Sequence, residues 1–176
     1  MRVEYKSELN ELIDEYMEVG YMAEPIEVST IDGNFLTIAD QKSDRTLQLL
    51  ASFPNESEFE ADIIEFDKFF DDLKIELKLY MIFAQSSEYI EQLAKKLNHF
   101  EVVIDREGEY GQMYGTVYVS GALTAQLTKA IFLIGKDGAI YLDDMPSSLE
   151  TSFKLELLVS ELNKAYAAYT GVGCHG

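Results

Sequence analysis

The fold is decided by residues 46–73, which read TLQLLASFPNESEFEADIIEFDKFFDDL. An apolar run of strand length ends at Pro54, and a segment with helical periodicity follows a short acidic loop. Ser57, with Glu60 three positions later, matches a capping box, so we expect a helix to begin there. The stretch therefore predicts a strand over residues 47–53 in the interior of a sheet, followed by a helix that covers the sheet. The helix residues that we expect to face the sheet are Phe66, Phe69 and Phe70.

Strand and helix patterns continue to alternate after this stretch. Apolar residues at every second position predict a strand with one buried face over residues 75–83. A helix capped by Ser86 or Ser87 follows, and His99 is expected to cap its C-terminal end. Residues 100–104 form a third strand pattern. Because strand–helix–strand units connect parallel strands, these strands are predicted to pair in parallel.

Two hairpins are predicted on either side of this unit. Residues 26–30 and 35–38 flank an Asp-Gly turn, and residues 130–134 and 139–142 flank a turn that contains two glycines. Short β-rich runs around such turns pair antiparallel. We therefore expect a sheet that contains both parallel and antiparallel strands.

Helices are predicted at both ends of the chain. Ser7 and Gly20 would cap an N-terminal amphipathic helix within residues 1–20, and a long closing helix would start in residues 145–148. The N-terminal helix either packs on the domain behind it or serves as a docking or dimer-forming arm. Its apolar stripe comprises Leu9, Leu12, Ile13, Tyr16 and Met17, and that of the closing helix comprises Leu155, Leu158, Val159, Leu162, Tyr166 and Tyr169.

Composition limits the classes of partner. The chain has 176 residues, of which 47% are hydrophobic, and a formal net charge of −18, which disfavours nucleic-acid and anionic-membrane partners. No signal peptide is apparent, and the single cysteine, Cys174, excludes an intramolecular disulfide. We expect a cytoplasmic protein, with neither membrane nor nucleic acid as a partner.

Four short segments, in order along the chain, contain distinctive sequence motifs. Residues 47–54 end in Phe-Pro, residues 109–115 read EYGQMYG, residues 121–123 read GAL, and residues 127–134 read LTKAIFLI. Together they resemble the peroxiredoxin superfamily, and most closely its thiol peroxidase branch. The resemblance covers residues 26–166 and implies a thioredoxin-like, three-layer α/β/α domain over residues 21–176, with the N-terminal helix and hairpin as extensions.

The departures from this family fall on its catalytic residues. Family members use Pro, Thr, Cys and Arg around the peroxide. Pro54 matches the proline, the loop after it contains no cysteine, and Lys129 stands at the arginine position. The helix that carries the resolving cysteine in the thiol peroxidase branch has none here either. The resemblance therefore implies a remnant pocket without catalytic residues, whose candidate binding residues are Pro54, Asn55, Ser57, Glu58 and Lys129.

Carboxylates crowd the corner where the family places its reactive thiol. Glu56, Glu58, Glu60 and Asp62 gain from the helix macrodipole by about 0.3–1 kcal/mol each and would repel another anion. This pattern favours a corner adapted for helix stability. A divalent-metal site is the alternative, but the loop lacks the EF-hand pattern, so no metal or other cofactor is predicted. Lys129 is expected to pair with Glu58 or Glu60.

Two functional interpretations remain. The first is a non-catalytic peroxiredoxin-like protein that acts as a binding or accessory protein for an unknown protein partner. The second is a thiol-dependent oxidoreductase in which Cys174, beside His175, reacts with a partner thiol. A homodimer is also expected, since thiol peroxidase relatives pair through loops around this corner. The aromatic residues near the corner that motivate this expectation are Phe53, Phe59, Tyr110 and Tyr114.

Overall fold

The computed structural model describes residues 1–14, 17–41 and 45–173. The chain begins with a hairpin of β1 (Arg2–Tyr5) and β2 (Glu8–Leu12), and β2 pairs antiparallel with β8 (Tyr118–Ser120) to form a three-stranded sheet. The predicted N-terminal helix is therefore wrong. Lys6 and Ser7 adopt left-handed backbone angles (φ 51° and 65°), which form the two-residue turn that joins hairpin strands.

Tertiary pairing explains this difference. The residues that the hairpin buries are Val3, Asn10 and Leu12, which follow the two-residue period of a strand. Leu9 belongs to the expected helical stripe but is 61% exposed, and Tyr16, another member, lies outside the described residues. The periodicity of so short a segment did not distinguish a helix from a hairpin.

The main sheet has seven strands in the order β10-β9-β5-β6-β7-β3-β4. β5 is parallel to β6 and β6 is parallel to β7, whereas β9 pairs antiparallel with β5 and β3 antiparallel with β7. The strand predicted over residues 47–53 is confirmed as β5, in the interior of the sheet. Both predicted hairpins are also confirmed, as β3–β4 and β9–β10. The bounds are β3 Ile26–Thr30, β4 Phe35–Ile38, β5 Leu47–Ser52, β6 Leu77–Phe83, β7 Glu101–Ile104, β9 Ala130–Ile134 and β10 Ile140–Asp144.

Helices lie on both faces of the main sheet. They are α1 (Glu60–Lys68), α2 (Glu88–Ala94), α3 (Glu109–Met113) and α4 (Leu155–Gly173). Buried residues of α1, α2 and α4 share one core cluster with one face of the sheet, and Tyr110 and Tyr114 at α3 belong to the cluster on the other face. The predicted α/β/α layering is confirmed. Strand β6 is buried on both faces along residues 79–83, which corrects the expectation of a single buried face.

The closing helix begins later than predicted. Residues 147–149 bond to β1 instead of starting a helix: the Glu4 amide donates to the Ser147 carbonyl, and the Leu149 amide donates to the Glu4 carbonyl (2.7 and 3.0 Å). The Lys154 amide then donates to an Asp144 carboxylate oxygen (2.9 Å) before α4 starts. Within α4, Leu158, Leu162 and Ala165 are buried, whereas Val159 and Tyr166 of the expected stripe are exposed.

One buried carboxylate connects α1 to the chain that enters β7. Asp67 is 1% exposed and accepts hydrogen bonds from the amides of Asn98, His99 and Phe100 (2.8, 2.9 and 3.1 Å). Helix α2 ends at Ala94, and the His99 ring contacts Asp71 beyond α1 (Nε2 to Oδ1 2.7 Å). His99 is therefore not the C-terminal cap of α2 that was predicted. Ser87 does cap this helix as expected, accepting from the Ile90 amide (3.2 Å).

Candidate functional site

The candidate site is the corner between β5 and α1. After Pro54 the chain makes a single 3-10 turn, Ser57–Phe59, and then enters α1. Neither Ser57 nor Glu60 forms a capping box, because the N-cap positions are Glu56 for the turn and Phe59 for α1, without a side-chain cap hydrogen bond. The backbone of the 3-10 turn takes the place of the predicted cap.

The N-terminal hairpin reaches this corner. Glu58 accepts a hydrogen bond from the Tyr5 hydroxyl and lies 3.4 Å from the Lys6 ammonium. Phe59 is 5% exposed, and its ring packs against those of Tyr5 and Phe53 at centroid distances of 6.0 and 6.3 Å. The first turn of the helical segment thus directs a phenyl ring inward and is covered by the tip of the hairpin.

Lys129 lines a cleft together with residues of α1 and is 4% exposed. Its ammonium donates to the Thr151 carbonyl (2.6 Å) and faces the rings of Phe53 and Phe153, 5.8 and 5.1 Å from their centroids. Burial lowers the pKa of Lys129, and the charges of Asp62 and Asp144 partly oppose this effect. A carbonyl, two aromatic faces and two nearby carboxylates thus stabilise an ammonium that has lost most of its water.

The predicted pairing of Lys129 with Glu58 or Glu60 is wrong. Glu58 contacts the hairpin, and Glu60 pairs with Lys96 on the α2 side (2.7 Å). Asp62 is the carboxylate of the acidic segment whose charge most raises the pKa of Lys129. Glu56 accepts a hydrogen bond from the Gln126 side chain (3.1 Å), so the four carboxylates of the corner have four different surroundings.

Lys129 forms part of the wall of a small cleft. The cleft has a volume of about 90 Å³, which admits a few non-hydrogen atoms. Aromatic rings, two carboxylates and the ammonium share its surface. The lining residues are Phe53, Asp62, Glu65, Phe66, Lys129, Ser152, Phe153 and Leu155.

Asn55 faces a different cavity, of about 200 Å³, at the carboxyl ends of β5 and β6. Its amide donates to the Gln126 side chain (2.7 Å), its side-chain nitrogen donates to the Gln85 carbonyl (3.0 Å), and its side-chain oxygen accepts from Ser87 (3.2 Å). The five residues of the predicted remnant pocket therefore do not line one cavity: Glu58 contacts the hairpin, Lys129 lines the cleft and Asn55 lines the second cavity. Pro54 is buried and Ser57 is exposed, and neither lines these two cavities. Their role in binding stays a prediction.

A buried polar network lies behind the corner. The Ser52 hydroxyl is 2.9 Å from the Tyr110 hydroxyl and donates to the Thr128 carbonyl (2.7 Å), while the Tyr118 hydroxyl is 2.6 Å from the Thr128 side chain. This network was not predicted from the sequence. Its signal in the sequence was Tyr110 and Tyr118, together with a serine at the end of a largely apolar strand. The network fixes β5 relative to the chain that precedes Lys129.

The aromatic residues that suggested a dimer face near the corner are interior. Phe53, Phe59, Tyr110 and Tyr114 are between 0 and 5% exposed. Their burial removes this motive for a dimer at the corner, because an interface requires accessible side chains. The homodimer itself stays a prediction.

Cys174 and His175 lie outside the described residues, so the predicted tail thiol stays a prediction. Within the described part of the chain, no group of three or more His, Cys, Asp or Glu residues is arranged to hold a metal ion. The same residues include no helix that is both long and apolar enough to span a bilayer.

Comparison with known proteins gives matches in structure. No protein-family model matches the sequence, and no curated protein is significantly similar to it. Among solved structures, a peroxiredoxin-like protein from Aquifex aeolicus is similar at a TM-score of 0.82 and 16% identity, over 93% of this chain and 96% of that chain. A thiol peroxidase from Chromobacterium violaceum is similar at a TM-score of 0.80 and 15% identity, over 94% and 97% of the two chains.

The chain has a peroxiredoxin-like, thioredoxin-type fold. A mitochondrial 2-Cys peroxiredoxin from Plasmodium falciparum is also similar, at a TM-score of 0.64 and 17% identity over 88% of this chain and 98% of that chain. The resemblance stated from short sequence motifs is confirmed at the level of the fold. The only cysteine of this peroxiredoxin-like chain, Cys174, is far in sequence from the corner after β5.

Proposed function

We propose that this chain is a peroxiredoxin-like protein that performs no peroxide reduction at the corner after β5 and acts as a binding or accessory protein. The observation that carries the proposal is the composition of that corner. A buried phenyl ring, Phe59, occupies the first turn, and the neighbouring Glu58 is held by the hairpin. Peroxide reduction requires a thiolate that attacks the peroxide oxygen and becomes a sulfenic acid, and the described residues contain no cysteine.

The charge around the corner supports the same conclusion. A low thiolate pKa depends on a helix N-terminus and a nearby cation. Here Glu58, Glu60 and Asp62 add negative charge at the start of the helical segment, and the Lys129 ammonium is engaged by the Thr151 carbonyl and two rings. The electrostatic conditions that activate a thiol are replaced by conditions that stabilise a helix and a buried lysine.

The cleft at Lys129 supports the binding role. Its volume of about 90 Å³ is too small for a drug-sized ligand and suits a few atoms of a small molecule or one side chain of a partner protein. Apolar walls with one cation and two carboxylates recognise a group that is partly apolar and partly polar. We expect a cytoplasmic protein partner or small ligand to use this cleft.

The test is peroxide consumption with a thioredoxin-type reductant, with an active thiol peroxidase as the positive control. We compare the wild type with Cys174→Ser and expect both to match the protein-free rate. Turnover that survives Cys174→Ser would overturn the proposal, because it would require chemistry other than that of a thiol. Turnover that is lost with Cys174→Ser would also overturn it and would make the tail thiol the nucleophile.

The binding role is tested by a thermal-shift screen of small anions, amines and short peptides. Compounds that occupy the cleft should raise the unfolding midpoint of the wild type but not that of Lys129→Met, which fills similar space without the charge. Glu150→Gln, an exposed position outside the cleft lining, is the matched control and should behave as the wild type. Equal stabilisation of all three proteins by every compound that binds would contradict a role for the cleft.

A further inference from the structure

The two edges of the main sheet differ. The β10 edge is covered at its start by the chain itself. The Gly20 amide donates to the Ile140 carbonyl, the Ile140 amide donates to the Tyr21 carbonyl, and the Ala23 amide donates to the Gly138 carbonyl (2.9, 2.9 and 2.8 Å). The other edge is β4, the last strand in the order. Among the described residues, no segment pairs with the outer side of β4.

The register of the β3–β4 hairpin determines which backbone groups of β4 point outward. The Thr30 amide donates to the Asn34 carbonyl (2.8 Å), and Val28 lies opposite Leu36. Hydrogen-bonded pairs alternate along an antiparallel ladder, so Leu36 and every second residue after it bond to β3. Phe35 and Thr37 therefore direct their N–H and C=O groups away from the sheet.

Apart from its short length of four residues, β4 has none of the features that protect exposed edges. Phe35–Ile38 contains no charged residue and no proline, and its register with β3 is continuous, without a bulge. Phe35 is also 56% exposed. A neutral, regular strand with an exposed phenyl ring is the kind of edge that pairs with another strand.

We propose that β4 pairs antiparallel with β4 of a second copy of this chain, across a two-fold axis at Leu36, so that the two main sheets become one continuous sheet. In this register Phe35 of each copy lies opposite Thr37 of the other. Both residues exchange N–H···O=C bonds, so the outward groups of Phe35 and Thr37 in both copies are all satisfied. No other two-fold symmetric register provides hydrogen-bond partners for all the outward N–H and C=O groups of Phe35 and Thr37.

Net charge restricts where a second copy can bind. Two chains that each carry a formal charge of −18 repel one another, so they must meet where side chains are neutral. β4 is such a segment. The nearest carboxylates along the chain are Asp32 in the hairpin turn and Asp40, and Ala39, with φ 61°, turns the chain out of the line of the strand before Asp40. The residual repulsion is screened by salt, so added salt should strengthen the dimer.

The size of the contact sets its strength. One four-residue edge with a partly exposed phenyl ring buries less than the roughly 1,200 Å² that stable interfaces require. We therefore expect a weak dimer that forms at high micromolar protein concentration and dissociates on dilution.

Cysteine cross-linking tests the register. In a Cys174→Ser background, which contains no other cysteine, Leu36→Cys places the thiol of one chain opposite the same thiol of the second chain. Non-hydrogen-bonded pairs have Cα atoms about 4.5 Å apart, within the range of a disulfide. Mild oxidation at high protein concentration should convert Leu36→Cys to a covalent dimer at least tenfold faster than Phe35→Cys, whose counterpart is Thr37. Equal rates, or no cross-link in correctly folded Leu36→Cys, would overturn the register.

A proline at the edge tests the interface independently. Thr37→Pro removes an outward N–H and leaves the bonds to β3 intact, whereas Thr37→Val keeps that N–H and serves as the control. By sedimentation equilibrium, with folding checked by circular dichroism, Thr37→Pro should raise the dimer dissociation constant at least tenfold. Thr37→Val should behave as the wild type. A wild type that is monomeric at high micromolar concentration, or a Thr37→Pro variant that dimerises equally well, would overturn the proposal.

Discussion

Asp67→Ala tests the buried carboxylate that joins α1 to the entrance of β7. The three amides that Asp67 binds differ in their access to water: Asn98 and His99 are exposed, whereas Phe100 is 5% exposed. After the substitution, water can reach the first two amides, but the Phe100 amide stays buried without a partner. A buried unsatisfied donor costs about 1–3 kcal/mol, and each of the two solvated bonds contributes about 0.5–1 kcal/mol.

These contributions sum to a loss of about 2–5 kcal/mol in the free energy of unfolding. For a chain of this length, 1 kcal/mol shifts the midpoint of thermal unfolding by about 2–4 °C, so the midpoint should fall by about 10 °C. Urea denaturation, extrapolated to water, measures the free energy directly, and scanning calorimetry measures the midpoint.

Two variants serve as matched controls for this loss. Asp67→Asn keeps the oxygen that accepts from both His99 and Phe100 and loses only the bond to the Asn98 amide, so about 1–2 kcal/mol should be lost. Asp71→Asn removes a carboxylate that is 54% exposed and should cost less than about 0.5 kcal/mol. If Asp67→Ala were within 1 kcal/mol of the wild type, the reasoning would be refuted.

Two further predictions concern backbone packing and alkaline pH. Gly121 has φ 97°, and a Cβ there would lie 2.0 Å from Oδ1 of the buried Asn10. Gly121→Ala should therefore lower the free energy of unfolding, measured by urea denaturation, by about 2–3 kcal/mol. The loss should exceed that of Gly20→Ala, where an added Cβ would meet no atom within 4 Å. Burial raises the pKa of Tyr110 far above 10 and that of Tyr89 to about 12, so the folded protein retains protons that the unfolded chain loses. The stability that these hydroxyls contribute is complete below pH 10 and is lost as the pH rises through their pKa values in the folded protein. Tyr110→Phe should therefore make the decline of the unfolding free energy above pH 10 less steep. An unchanged slope would contradict the raised pKa of Tyr110.

Several elements of the fold could be predicted from local signals in the sequence. The strand over residues 47–53, the parallel units that follow it and the hairpins β3–β4 and β9–β10 all arise from apolar periodicity and turn residues that lie within a few positions of one another. The order of the short sequence motifs also predicted the fold. The absence of cysteine from the corner can be read directly from the sequence.

Tertiary structure decided the elements and contacts whose partners are distant in the chain. Residues 1–12 form a hairpin whose β2 pairs with β8, and residues 147–149, where the closing helix was predicted to start, bond to β1 instead. Local periodicity cannot report such pairings, because the hydrogen-bond partners lie more than 100 residues away. The same limit applies to the candidate site: the partner of Lys129 is the Thr151 backbone carbonyl, an atom that every residue carries and that no sequence pattern can mark.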